Sequence, residues 1–75
     1  MKHHDLKIEE RYLEEVIAGR KTFEIRFNDR DYQVGDTVSL INSNLPTIHA
    51  TIGYITKFQQ QNNYVVFSLT DIKII

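Results

Sequence analysis

A lysine, a glutamate and an arginine stand close together in the segment Gly19-Arg20-Lys21-Thr22-Phe23-Glu24-Ile25-Arg26. Arginine offers a planar fork of N–H donors to a phosphate, a carboxylate or a base edge, and lysine acts as a point charge. The glutamate would accept hydrogen bonds from N–H or hydroxyl groups. This combination suits a base, a nucleotide or a modified nucleoside better than a plain anion, which the glutamate would repel.

A plainer interpretation of the same charges stays open from the residues alone. Glu24 and Arg26 could form a surface ion pair worth up to about 1 kcal/mol. The neighbouring segments Asn28-Asp29-Arg30-Asp31 and Val34-Gly35-Asp36 have the composition of turns, in which Asn and Asp bond to the local backbone.

The glutamate and the arginine belong to a predicted strand in which polar and apolar residues alternate from Thr22 onward. Phe23 and Ile25 are predicted to face the core, so that Glu24 and Arg26 leave the opposite face together. The lysine has the wrong parity for that face. We expect it in the preceding turn, from which its ammonium could reach over the pair.

The elements that must position these residues are one helix and several short strands. A stripe of apolar residues predicts the helix over Glu9 to Ala18, with Gly19 in the left-handed conformation after its end. Alternation and turn residues predict strands at 4–8, 22–27, 37–41, 48–58 and 64–69, a short closing strand at 71–75 and a polar hairpin loop at 59–63. In the fourth strand Tyr54 shares the parity of the inward residues, and Gly53 is predicted to mark a bulge or a bend.

This pattern predicts a single α+β domain over residues 1–75. Five to six mostly antiparallel strands in so short a chain are expected to curl into a small β-barrel beside the one N-terminal helix, because closure removes exposed sheet edges.

Composition excludes several classes of protein. Nine basic and ten acidic residues give a net charge of −1, which does not suit a binder of long duplex nucleic acid. Cysteine is absent, and no run approaches the roughly 20 apolar residues that span a bilayer. We therefore expect a cytoplasmic monomer with no membrane partner, no cofactor and no metal.

Other candidate residues carry weaker signals. His3, His4 and His49 lack metal-ligand spacing, although His4 could line a polar cleft. Thr22 and Ser39 lie in no nucleophile motif. Three of the four tyrosines could either stack on bases of single-stranded RNA or pack against side chains of neighbouring strands. They are Tyr32, Tyr54 and Tyr64.

The motifs as a set resemble the DUF3850 family, small bacterial and phage proteins of the ASCH/PUA-like superfamily. The resemblance is carried by His4-x-Leu6-Lys7, by the Gly-x-Lys-x-x-Glu-x-Arg signature at 19–26, by Asn28-Asp29-Arg30 and by Val34-Gly35-Asp36. It implies a PUA-like β-barrel with a cleft between barrel and helix, and an RNA-binding role. Lys21, Glu24 and Arg26 match the signature and are expected to line that cleft.

One branch of the superfamily, small amidohydrolases acting on N4-acetylcytidine, is similar around Ala18 to Thr22 and at Ile25-Arg26. In that branch the lysine assists a threonine nucleophile at the position of Glu24, with a glutamate from a later segment. This chain has no glutamate after Glu24 and lacks the branch's extra helical insert. The resemblance therefore does not imply the same catalytic triad, and the chain is not expected to be an enzyme of that kind.

Two functions follow as hypotheses. The first is a small module that binds RNA or a nucleotide in a cleft of Lys21, Glu24 and Arg26, with Arg30 and Arg20 at its rim and His4 nearby. The alternative is an amidohydrolase acting on a modified nucleoside or small amide, in which Lys21 and Glu24 form a general acid–base pair.

Overall fold

A computed structural model describes residues 1–57 and 62–75. One helix, α1 (Glu10–Ile17), follows the first strand, β1 (His3–Lys7). The remaining strands are β2 (Phe23–Phe27), β3 (Thr37–Ile41), β4 (Ile48–Lys57) and β5 (Tyr64–Ile74). The predicted helix and the first five predicted strands are confirmed within these bounds. Phe58 and most of the predicted hairpin loop at 59–63 lie outside the described residues.

The five strands form one curled sheet, a half-barrel with the order β1-β3-β4-β5-β2. Strand β1 pairs with β3 in parallel, and the other three neighbouring pairs are antiparallel. The architecture is therefore α+β with mostly antiparallel strands, as predicted. None of the described strands bridges β1 and β2, so the predicted closed barrel is corrected to a half-barrel with two edges.

The core fills the concave side of the sheet and is covered by α1. Leu13 and Val16 of the helix are buried there against apolar residues from every strand except β2, among which Leu6, Leu40, Ile52 and Phe67 are almost fully enclosed. Deep burial of such side chains contributes on the order of 2 kcal/mol each. The charged cluster thus stands beside a conventional apolar core.

The helix ends in a Schellman motif, which sets the position of the lysine. Gly19 has φ of 82° and donates its N–H to the Val16 carbonyl at 3.0 Å, while Arg20 donates to the Glu15 carbonyl at 2.9 Å. Lys21 donates its own N–H to the same Glu15 carbonyl at 3.1 Å. The predicted left-handed glycine is confirmed, and the turn it makes delivers Lys21 to the start of β2.

The predicted orientation of β2 is wrong. Glu24 is buried, with 4% of its surface exposed, whereas Phe23, Ile25 and Phe27 are 44%, 46% and 48% exposed. Because β2 is an edge strand beside the open gap of the half-barrel, its inner face meets polar neighbours and not the apolar core. The alternation of residue types correctly predicted which residues share a face of the strand. The prediction that the apolar face is the buried one was wrong.

Two details of the long hairpin also differ from prediction. The β4–β5 pairing shifts register between Ile52 and Ile55, so the predicted bulge at Gly53 is confirmed, and the same shift turns Tyr54 outward. The closing segment is not a separate strand, because β5 continues through Asp71, which adopts φ of 50°. No helix in the described part of the chain is long and apolar enough to cross a membrane.

Candidate functional site

A concave pocket of about 510 Å³ lies between the start of α1 and the edge strand β2. Its volume falls in the range of roughly 300–1,000 Å³ that is typical of small-molecule sites. The pocket is lined by Lys7, Ile8, Glu9, Tyr12, Lys21, Phe23, Glu24, Ile25, Arg26, Phe27 and Tyr64. The structure thus brings the three residues of the charged signature to one concave surface.

Glu24 forms the centre of the charged cluster. Its Oε1 accepts a hydrogen bond from Lys21 Nζ, and its Oε2 accepts one from Arg26 Nε at 2.9 Å. Its side chain is more enclosed than those of both cations, which are 17% and 23% exposed. A carboxylate this buried requires such partners, so the two cations fix the orientation of the Glu24 side chain.

Arg26 connects the two edges of the half-barrel. One Nη2 hydrogen goes to the carbonyl oxygen of Lys7, at the end of β1, with an Nη2–O distance of 2.8 Å. Arg26 therefore bonds both to Glu24 on its own strand and to the backbone of β1 across the gap. Its remaining guanidinium N–H groups bond to no described residue and are available to a ligand in the pocket.

Lys21 reaches the cluster from the turn after the helix, as its parity predicted. Its ammonium donates to the Phe23 carbonyl at 2.6 Å and lies 5.0 Å from the centre of the Phe23 ring. The Tyr12 ring is 5.8 Å away. These rings add cation–π attraction to the ion pair with Glu24, so the lysine is held by both the charged and the aromatic parts of the pocket.

Aromatic side chains make up much of the rest of the lining, and sequence reasoning missed most of them. Phe27 and Tyr64 pack edge-to-face with ring centroids 5.6 Å apart. Tyr12 falls within the predicted helix, and Phe23 was predicted to face the core. The signal available in the sequence was the aromatic residues flanking the charged signature on both sides.

Comparison with known protein families matches residues 3–69 to the model described as "Domain of unknown function (DUF3850)". The chain belongs to the DUF3850 family. A search of curated proteins finds no match to this sequence. The family resemblance seen in the motifs is confirmed, and the match extends into β5, well beyond the first 36 residues.

Two predicted site residues of this DUF3850 domain lie outside the pocket lining. Arg30 is on the exposed loop after β2, where its Nε is 3.9 Å from Asp29 Oδ1. His4 is buried on the inner side of β1. Neither joins the charged cluster, and a ligand contact by either remains a prediction.

His4 belongs instead to a second buried polar cluster centred on Asp36, which the sequence indicated only as a turn residue. His4 Nε2 lies 2.9 Å from Asp36 Oδ2, and the backbone N–H groups of Lys2 and Gln33 donate to the same carboxylate at 2.9 and 3.0 Å. The hydrogen bond from His4, followed by that from Lys2, lowers the pKa of Asp36 from 3.8 to about 2 despite its burial. This cluster ties the first residues of the DUF3850 domain to the turn before β3.

Tyr32 stands between the two polar clusters. Its ring contacts His4 edge-on at 4.8 Å and Phe67 at 5.0 Å between centroids. Burial raises the pKa of the Tyr32 hydroxyl, and the nearby positive charges of Arg26 and Arg30 oppose that rise. Tyr32 is therefore a packing residue behind the pocket, while Tyr64 lines it and Tyr54 lies exposed on β4.

The remaining histidines lie on the outer face of the sheet. His3 contacts the Thr37 and Ser39 hydroxyls through its two ring nitrogens, at 2.6 and 2.9 Å, and its ring lies 5.4 Å from that of His49. Within residues 1–57 and 62–75, no group of three or more His, Cys, Asp or Glu could hold a metal ion.

The pocket of the DUF3850 domain combines a net positive polar centre with an aromatic surround. Among its lining residues, three are basic (Lys7, Lys21, Arg26) and two are acidic (Glu9, Glu24). Because the carboxylate of Glu24 is held by two cations, the groups that can meet a ligand include N–H donors and ring surfaces. Such a pocket can bind a molecule that has both a flat body and an anionic or acceptor group.

Proposed function

We propose that this domain is a small RNA- or nucleotide-binding module, with a PUA-like (ASCH) fold, and that its ligand occupies the pocket between α1 and β2. The observation that carries the proposal is the convergence of Lys21, Glu24 and Arg26 on one concave, aromatic-lined surface. Guanidinium and ammonium donors recognise phosphate, and aromatic side chains stack on bases.

Each part of the pocket then has a role in binding. The free N–H groups of Arg26 meet a phosphate or a base acceptor, and Lys21 adds positive charge beside the Tyr12 and Phe23 rings. Glu24 keeps both cations in position. Arg30, at the rim, attracts the negatively charged phosphate of a ligand over a distance of up to about 8–10 Å at moderate salt.

The alternative function, an amidohydrolase that uses Lys21 and Glu24 as an acid–base pair, has less support. A general base must come within hydrogen-bond reach of the proton that it abstracts. Both oxygens of Glu24 already accept from cations, and the side chain is buried. The two cations that hold the Glu24 oxygens suit a carboxylate with a fixed position in a binding site better than one that must accept a proton from a substrate.

Binding is tested by nuclear magnetic resonance titration of the 15N-labelled protein with short single-stranded RNA and with nucleoside monophosphates at low salt. Amide shifts are expected to map to residues 19–27 and 64. Arg26→Gln should weaken binding at least tenfold, because a charged hydrogen bond contributes about 1.5–3 kcal/mol.

The matched control for this variant is Lys73→Gln, which removes one positive charge from β5 at a position outside the pocket lining. It should leave the affinity within about twofold, and both variants should keep the wild-type spectrum elsewhere. The proposal fails if neither RNA nor nucleotide shifts residues around the pocket, or if the two variants lose the same affinity.

A further inference from the structure

The free edge of β2 carries backbone groups that make no hydrogen bond to the residues described by the structure. The Leu69 N–H donates to the Thr22 carbonyl, and the Asn28 N–H donates to the Asn63 carbonyl. The backbone N–H and C=O groups of the even-numbered residues in this segment therefore point toward β5. Hydrogen-bonded and non-hydrogen-bonded pairs alternate in an antiparallel ladder. The N–H and C=O groups of Phe23, Ile25 and Phe27 therefore point away from β5 and into the gap of the half-barrel.

Two of these three residues already have their carbonyl groups occupied. Lys21 Nζ donates to the Phe23 carbonyl at 2.6 Å, and the Asp29 N–H donates to the Phe27 carbonyl at 2.9 Å. Ile25, in the middle, makes no hydrogen bond to any described residue through its backbone N–H or C=O. Among the described residues, Ile25 is thus the one on this edge whose N–H and C=O are both unpaired, and it lines the pocket.

The length of the available edge decides what kind of ligand fits it. An extended peptide that adds a strand uses the N–H and C=O groups of alternate residues in a row, and here the flanking carbonyls are already occupied. A planar group with an adjacent donor and acceptor needs only one pair. The hydrogen-bonding edge of an unpaired base is such a group, and single-stranded bases are commonly read along that edge.

We propose that the backbone N–H and C=O of Ile25 bind the Watson–Crick edge of an unpaired base, while Lys21 and Arg26 contact the phosphate and the aromatic lining packs on the ring. This inference rests on the proposed nucleotide-binding function and specifies its ligand. Because base pairing would occupy the same edge, the domain selects single-stranded RNA or a free nucleotide over duplex.

The test compares uridine 5′-monophosphate with 3-methyluridine 5′-monophosphate, which has the same phosphate and ring but lacks the N3–H donor. Uridine monophosphate is expected to shift the Ile25 amide and slow its hydrogen exchange. The methylated nucleotide should bind about tenfold more weakly, the factor that corresponds to about one net hydrogen bond.

A backbone variant provides a second measurement. Ile25→Pro removes the free-edge N–H without removing a ladder bond, since proline is tolerated on edge strands where its missing donor faces outward. Ile25→Val keeps the N–H and is the matched control. The proline variant should bind uridine monophosphate about tenfold more weakly than the valine variant does, because it lacks the N–H that donates to a carbonyl oxygen of the base. If the proline variant does not fold, the comparison of the two nucleotides on the wild type still decides.

The outcomes separate this inference from the function on which it rests. Equal binding of both nucleotides with shifts at Lys21 and Arg26 overturns the role of Ile25 and leaves nucleotide binding in place. No binding of either nucleotide or of RNA overturns both. Joint protection of the Phe23, Ile25 and Phe27 amides by an extended peptide, without an effect of nucleotide, would instead identify a strand-addition site.

Discussion

Glu24 shows how much one buried residue organises in this domain. It neutralises part of the charge of Lys21 and Arg26, and through Arg26 it is linked to the Lys7 carbonyl at the opposite edge of the gap. Removing one member of such a cluster leaves the others incompletely compensated, which costs more than an exposed ion pair would. The ion pair considered from the sequence therefore exists, but it forms a wall of a pocket and not a flat surface.

The charged cluster could be predicted from the sequence only in part. The spacing of Glu24 and Arg26 predicted one shared face, and the turn at Gly19 predicted the approach of Lys21. Burial could not be predicted, because it depends on the gap between β2 and β1, which are at opposite ends of the strand order. The His4–Asp36 pair joins residues 32 positions apart, and alternation with Leu6 was the only hint that His4 faces inward.

At the residue scale, Asp36 gives a prediction about pH. Its pKa is lowered from 3.8 to about 2, so the carboxylate contributes stability that is full above the unfolded value and is lost as the pH falls toward 2. Asp36→Asn should cost about 1.5–3 kcal/mol in free energy of unfolding at neutral pH, and this deficit should shrink near pH 2–3. Urea unfolding at several pH values measures both effects.

The control for Asp36 is Asp71→Asn, an exposed aspartate on β5 whose left-handed backbone suits asparagine. At neutral pH this variant should change the free energy of unfolding by less than about 0.5 kcal/mol, because the side chain is exposed. If Asp36→Asn and Asp71→Asn behave alike between about pH 4 and 2, the buried His4–Asp36 cluster does not stabilise the fold in the way that its hydrogen bonds indicate.

At the scale of elements, sequence periodicity located the helix and the strands well because each lies on a local pattern. It failed for the inner face of β2, since alternation specifies which residues share a face and not which face meets the core. Strand β2 is also a terminal strand of the sheet. Inward-pointing charges on an edge strand hinder pairing with other chains, which gives the cluster a structural value besides ligand binding.

The Schellman turn gives the prediction at this scale. A Cβ at Gly19 would have no heavy atom within 4 Å, so Gly19→Ala should cost only the conformational penalty of a left-handed alanine, about 1–2 kcal/mol. Gly19→Asn should cost less, because asparagine tolerates this conformation better. Thermal unfolding measures the difference. Equal stability of the two variants would show that φ of 82° is not enforced in solution.

At the scale of the whole molecule, the free edge and the exposed Phe23, Ile25 and Phe27 side chains form a surface that could self-associate. We predict that the wild type stays monomeric because Glu24 and Arg26 oppose edge pairing. Its radius of gyration in solution should be near the 11.6 Å of the Cα positions, and a compact dimer would give about 15 Å.

The double variant Glu24→Met with Arg26→Met tests this protective role. It should self-associate at concentrations where the wild type is monomeric, as measured by small-angle scattering or sedimentation. The matched control replaces the exposed pair Glu15 and Arg20 by Met, with the same change of charge. A monomeric Glu24/Arg26 variant would contradict edge protection and leave ligand binding as the reason for the cluster.

The strand order also has a consequence for how the pocket comes into being. Strand β2, which carries Glu24 and Arg26, bonds to β5, the last of the five strands, while β1 and β3 can pair much earlier. During synthesis the pocket therefore cannot form until β5 has emerged from the ribosome. Such long-range pairing slows folding. Nascent chains that stop before β5 would expose the alternating segment 23–27 with neither its partner strand nor a working pocket.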